Sequence, residues 1–159
     1  MKAVLAPVDR CLNWSLVSLM ACMVLAVTWQ VVSRYLFASA SAWTEEVARF
    51  LLIWIGMLGG AYAFRTGMHI GLDLLPKKLT GIPARNLRWF TQAVIILFAL
   101  AVLVIGGGRL VLLTWELRQY SAVLGLPIAV VYSVIPLTGI LIILFSFVGS
   151  DVSEHGDQD

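Results

Sequence analysis

The residues best able to do chemistry open a charged stretch in the first half of the chain. Glu45 and Glu46 precede Arg49 by four and three residues, so either carboxylate can share a helix face with the guanidinium. Such a cluster could neutralise itself, meet a charged group on a partner helix, or bind a substrate. Because the cluster lies at the edge of an apolar segment, local neutralisation and a partner contact are favoured over a substrate site.

A second group of polar residues follows at helical spacing. His69 comes four residues after Arg65 and four before Asp73, and one helix face could carry all three if the helix extends that far. A metal site would need more ligands, and the long apolar segments contain no histidine that could hold a haem. An interfacial histidine that bonds a neighbouring carboxylate or a lipid headgroup is the simpler interpretation.

Known catalytic patterns are missing from the sequence. It contains no glycine-rich phosphate-binding loop, no Ser-His-Asp arrangement and no metal-ligand spacing. We therefore predict that the chain is not an enzyme and that it holds no metal or cofactor of its own.

Long uncharged segments make up most of the remaining chain. The sequence is 60% apolar and 13% charged, against about 45–50% and about 25% in an average globular domain. Crossing about 30 Å of hydrocarbon takes roughly 20 helical residues. The sequence thus predicts an all-α integral membrane protein that forms a single domain over residues 1–159. Its four transmembrane helices are expected near residues 12–33, 44–67, 89–108 and 127–148, followed by a short acidic tail at 149–159.

Basic residues are unevenly divided between the two ends of these helices. An excess of Lys and Arg marks the cytoplasmic side of a membrane protein. The side that holds both termini has seven such residues and the opposite side has four, so both termini are predicted to be cytoplasmic. The seven are Lys2, Arg10, Arg65, Lys77, Lys78, Arg85 and Arg88, and the four are Arg34, Arg49, Arg109 and Arg118.

Small residues recur at close-packing spacing in the second predicted helix. Gly56 and Gly60 form a GxxxG pattern, and Gly59 lies beside them. Glycines four residues apart allow two helices to approach closely. The pattern predicts a packing face, which could meet another helix of this chain or a helix of a partner.

The middles of the predicted spans contain little that could bind an ion or an anion. A transporter that works alone is expected to carry charged residues near mid-membrane, or broken helices that face each other. The centres of the first, third and fourth spans hold only weakly polar side chains. This favours an accessory subunit of a larger transporter. Two alternatives remain, an autonomous small homodimeric transporter and a membrane anchor subunit of a redox complex.

Several motifs occur in a recognisable order. An Arg-Tyr pair ends the first span, a Trp-x-Glu-Glu sequence opens the second, and a glycine-rich centre is followed by an arginine and a His-Ile pair. In this order the chain resembles the small membrane subunit (DctQ type) of tripartite ATP-independent periplasmic (TRAP) transporters. The residues that carry the resemblance are Arg34, Tyr35, Trp43, Glu45, Glu46, Arg49, Gly59, Arg65, His69, Ile70 and Asp73.

The resemblance implies a place in a complex of the bacterial inner membrane. It implies a secondary transporter of organic acids, such as C4-dicarboxylates or sialic acid, whose soluble periplasmic binding protein captures the substrate. A large membrane subunit, the expected partner in a heterodimer, would bind the substrate and the coupling sodium ions or protons. The small subunit would be a scaffold. Its expected interface with that partner or with lipid consists of the motif residues above, apart from Ile70, together with Gly56 and Gly60.

Overall fold

Helices account for nearly all of the described chain. The computed structural model describes residues 2–36, 41–66 and 82–153. The described elements, which include no β-strand, confirm the prediction of an all-α protein. They are α1 (Lys2–Leu36), α2 (Ala42–Arg65), α3 (Ile82–Phe98), a π-helical segment (Ala99–Gly106), α4 (Gly107–Glu116), α5 (Ile128–Tyr132) and α6 (Val134–Ser153).

Four helical stretches are long and apolar enough to cross a membrane. The third combines α3, the π-helical segment and α4, and the fourth combines α5 and α6. Their number confirms the prediction of four spans, whereas the side on which the termini lie stays a prediction. The four stretches are Ala6–Leu36, Ala42–Arg65, Trp89–Glu116 and Ile128–Phe147.

The third span is longer than expected. Its helix continues through the glycines at 106–108 and ends at Glu116, so the expected end at residue 108 is wrong. Glycine weakens helices in water partly because it exposes the backbone to solvent, but in lipid no solvent competes for the helical hydrogen bonds. As a consequence, Arg109 lies inside the span, about 10 Å from its middle.

The fourth span is interrupted near its start. Ser133 separates α5 from α6, and Pro136 lies in the first turn of α6. A proline in the first turn removes no helical hydrogen bond, because the first N–H groups of a helix have no carbonyl partner within it. The interruption therefore places the proline where the helix tolerates it.

The spans pack in a row. α1 packs against α2, α2 against α6, and α6 against the π-helical segment. Within the described residues, α1 has no comparable packing against the third span. A row leaves two broad faces uncovered, and many large apolar side chains of α1 and of the third span are exposed there. The core that joins the first, second and fourth spans is centred on Leu12, Leu58, Val134 and Phe145.

Two glycines bring the third and fourth spans close together. A Cβ atom at Gly139 would lie 2.7 Å from the Cβ of Leu103 and 2.9 Å from Cγ2 of Val104. One at Gly107 would lie 2.7 Å from Cγ2 of Ile135. Because non-bonded carbon atoms prefer about 3.5–4.0 Å, any larger residue at either position would push the two spans apart.

Candidate functional site

The second span has one face that packs inside the chain. Leu58 and Ala61 are buried there, and Thr44 is buried at the start of the helix. The hydroxyl of Thr44 donates to the backbone oxygen of Ser41 at 2.7 Å. This bond satisfies a polar group at the helix start that would otherwise be buried without a partner.

The opposite face of α2 is uncovered. Steps of three or four residues place a set of side chains along one side of a helix, and every member of this set is exposed. We call it the outer face of α2. Its members are Glu45, Arg49, Leu52, Gly56 and Gly60.

An ion pair lies at one end of the outer face. Nη2 of Arg49 donates to Oε1 of Glu45 at 3.2 Å, and the two side chains are 67% and 60% exposed. In a span centred on α2, Arg49 lies about 7 Å from the middle and Glu45 about 13 Å, both inside a half-thickness of about 15 Å. Charges at that depth favour a protein surface or a route to the headgroups over lipid chains. The structure therefore selects Glu45, and not Glu46, as the partner of Arg49.

The glycines of the outer face have no neighbour within the chain. A Cβ atom built on Gly56, Gly59 or Gly60 meets no described atom within 4 Å, in contrast to the tight fit at Gly107 and Gly139. The GxxxG pattern is thus not used between the described helices of this chain. Without side chains, Gly56 and Gly60 leave a shallow depression on the outer face, separated from the ion pair by Leu52.

Glu46 contacts the connection between the third and fourth spans. Its Oε2 accepts hydrogen bonds from the backbone N–H of Val123 at 3.2 Å and of Leu124 at 2.9 Å. Sequence reasoning grouped Glu46 with Arg49, because it could not see a contact between residues that are more than seventy positions apart. The carboxylate fastens the start of α2 to this connection.

The first, second and fourth spans meet in a charged contact at the end of α2 opposite to the Glu45–Arg49 pair. Arg65 donates from Nε and Nη2 to the two carboxylate oxygens of Asp9 at 3.3 and 3.2 Å, and its Cζ lies 5.7 Å from the centre of the Phe145 ring. A bidentate pair of this kind fixes geometry as well as charge. Sequence reasoning missed Asp9. Its position as the only acidic residue before Glu45 was the available signal.

Of the remaining predicted interface residues, some are exposed in the structure and others lie outside the part that it describes. Arg34 and Tyr35 end the first span and Trp43 begins the second, and all three are exposed. His69 and Asp73 lie outside the described residues. The predicted site is thus brought together only in part, as the outer face of α2 and the exposed residues near its first turn.

The polar groups that the structure describes form no arrangement suited to metal binding. Within the described residues, no group of three or more His, Cys, Asp and Glu side chains could hold a metal ion. Five of the described charged side chains, Asp9, Glu45, Glu46, Arg49 and Arg65, instead bond one another or backbone amides. Such contacts can position helices and present a surface.

Comparison with known proteins gives a match over most of the chain. A family model for the DctQ component of tripartite ATP-independent periplasmic transporters matches residues 23–150. A Haemophilus influenzae protein described as a TRAP transporter small permease protein is 27% identical over 135 residues, which cover 85% of this chain and 82% of that protein.

Two further relatives are considerably longer than this chain. The C4-dicarboxylate TRAP transporter small permease protein DctQ of Rhodobacter capsulatus is 33% identical over 122 residues, covering 73% of this chain and 53% of the relative. The isethionate TRAP transporter permease protein DctMQ of Oleidesulfovibrio alaskensis is 30% identical over 129 residues, covering 77% of this chain but 20% of the relative. The similar segment is therefore a minor part of a much longer permease in the last case.

Proposed function

This chain belongs to the DctQ component family of the TRAP transporters, and we propose that it is the small accessory subunit of a secondary transporter for organic acids. It docks a large permease subunit and holds it in the bacterial inner membrane, while that subunit binds substrate and the coupling sodium ions or protons. A periplasmic binding protein delivers the substrate. The observation that carries the proposal is the family match over residues 23–150.

The related proteins support the choice of partner and of substrate class. In the isethionate permease DctMQ, a segment similar to this chain forms part of one long polypeptide, so a large permease is a natural partner for a separate small chain. C4-dicarboxylates and isethionate, named for two of the relatives, are both small organic anions. We assign the same broad class, with carboxylates first, to the complex of this chain.

The distribution of charge supports an accessory role. Within about four residues of their midpoints, the four described spans carry no Asp, Glu, Lys, Arg or His. A site that strips water from an anion or a coupling ion needs charged or strongly polar groups near mid-membrane. The substrate and ion sites therefore belong to the partner.

The outer face of α2 is the docking surface that we propose for the large subunit. It combines an exposed ion pair at hydrocarbon depth with open glycines, and the described helices of this chain cover neither. Partner side chains can bond the Glu45–Arg49 pair more favourably than lipid chains can. A partner helix can also enter the depression at Gly56 and Gly60.

Transport measurements in liposomes test this function. The chain alone should accumulate no labelled organic acid, because it offers no mid-membrane site. Addition of the large permease subunit and the binding protein of the same organism should restore uptake that depends on an ion gradient and not on ATP. Accumulation by the chain alone would contradict the accessory role and would favour the autonomous small transporter.

A further inference from the structure

The connection between the third and fourth spans is a compact hairpin. We define the hairpin as residues 117–127. Ser121 N–H donates to the oxygen of Leu126 at 2.8 Å, and Gly125 N–H donates to the oxygen of Ser121 at 3.2 Å. Gly125 adopts a φ of 63°, which glycine reaches without steric cost. Ile128 N–H closes the base by donating to the oxygen of Gln119 at 2.9 Å.

Most backbone N–H groups of the hairpin are satisfied without water. Those of Leu117, Arg118 and Gln119 donate to carbonyl oxygens of the preceding helix turn. At the tip, where no backbone oxygen serves Val123 and Leu124, the Glu46 carboxylate accepts from both. A non-helical segment survives at membrane depth only when its backbone groups find partners in the protein. The Leu124 N–H also donates to Oγ of Ser121 at 3.2 Å, so Glu46 supplies the bond to Val123 that the hairpin does not make by itself and adds a second acceptor at Leu124.

Several large side chains of the hairpin are apolar and point outward. Those of four large residues are between 48% and 60% exposed, and the tip from 121 to 127 has no charge. Facing water, this surface would lose the free energy that apolar burial provides. The four residues are Leu117, Tyr120, Val123 and Leu126.

We propose that the hairpin is a membrane anchor that lies in the boundary between headgroups and acyl chains at its end of the spans, and that Glu46 makes this placement possible. The occupant of its apolar surface is lipid. Its base joins two membrane spans directly, so the tip can move little from the bilayer boundary. Tyr120 in the hairpin and Trp115 just before it are both exposed, and Trp and Tyr side chains prefer headgroup depth. Arg118 can extend its charge from the same region to the headgroups.

The consequence is a fixed depth in the bilayer for three spans. The hairpin links the third and fourth spans in the chain, and Glu46 ties it to the start of the second. An anchor attached to three spans at one end would resist vertical movement of the chain in the bilayer. This property does not depend on the substrate or on the large subunit.

Depth measurement by spin labelling tests the proposal. The full chain, with Cys11 and Cys22 replaced by Ala, receives one nitroxide at Val123→Cys and is placed in phospholipid nanodiscs, alone and with the large permease subunit. Collisions with oxygen, which concentrates in lipid, are compared with collisions with a water-soluble nickel chelate. We expect oxygen collisions to exceed nickel collisions in both samples, at a ratio below that of a label at Leu97→Cys, which lies deeper in the third span, and above that of a label in water.

The outcomes separate lipid from the other possible occupants. Dominant nickel collisions would place the tip in water and overturn the proposal. Nickel access in the lone chain that disappears in the complex would assign the surface to the protein partner and would overturn it equally.

The role of Glu46 is tested by comparing two substitutions with the parent protein in the same collision measurement. Glu46→Ala should raise nickel collisions at residue 123 severalfold and increase the mobility of the label, because the Val123 N–H then seeks water and the Leu124 N–H keeps only the Ser121 hydroxyl. Glu46→Gln, whose amide oxygen still accepts, should stay close to the parent protein. Equal values in all three proteins would show that Glu46 does not hold the hairpin at its depth.

Discussion

Replacing Gly139 by alanine should destabilise the chain, whereas the same change at Gly60 should not, although both glycines lie in membrane helices. A Cβ at Gly139 would meet Leu103 at 2.7 Å and the backbone oxygen of Ala99 at 3.2 Å. Neither atom is the mobile end of a side chain, so the spans themselves must shift. Overpacking of this kind costs about 1–3 kcal/mol, and the upper half of that range applies. The higher helix preference of alanine offsets about 0.5–1 kcal/mol of this cost, which leaves a loss of about 1–2.5 kcal/mol.

Gly60→Ala meets no described atom within 4 Å, so only the helix preference remains and the lone chain should be unchanged or up to about 1 kcal/mol more stable. Both variants are heated in detergent, and the monomer that remains is measured by size-exclusion chromatography to give each melting temperature. The reasoning would be refuted if Gly60→Ala lowered the melting temperature of the lone chain as much as Gly139→Ala does.

Two further outcomes follow from the charged residues. Asp9→Asn should destabilise the chain by about 1–2 kcal/mol, because it weakens the half-buried pair with Arg65. Glu45→Gln, in an exposed pair, should cost less than about 0.5 kcal/mol. Equal losses of unfolding free energy in a denaturation series would contradict this ranking. Cysteines at Ser41 and Lys78, tested on intact cells with an impermeant thiol reagent, should be labelled at the first position and protected at the second. The reverse pattern would invert the predicted topology.

Local sequence patterns were sufficient for some of these features. The four spans follow from the lengths of the uncharged apolar segments, which the local sequence alone determines. The pairing of Glu45 with Arg49 was one of two possibilities that helical spacing allowed. Spacing could not choose between Glu45 and Glu46, since the decision depends on the hairpin that reaches Glu46 from the far half of the chain.

Contacts between distant segments could not be predicted. The pair of Asp9 and Arg65 depends on how the first two spans cross, which no local pattern encodes. The GxxxG pattern correctly marks close-packing residues in general, but it does not say where the neighbour is. Within the described residues the tight contacts between spans occur at Gly107 and Gly139, which sequence reasoning did not select, whereas Gly56 and Gly60 remain open.

Recovery of the complex with the large permease subunit tests most directly whether that subunit docks on the outer face of α2. Gly60→Leu on the outer face of α2 is compared with Gly108→Leu in the third span, where a Cβ atom also meets no described atom within 4 Å. Both variants should leave the lone chain folded. We expect Gly60→Leu to reduce co-purification with the tagged large subunit strongly, and Gly108→Leu to co-purify as the parent chain does. Full recovery of the complex with Gly60→Leu, or equal loss with both variants, would contradict docking through this face.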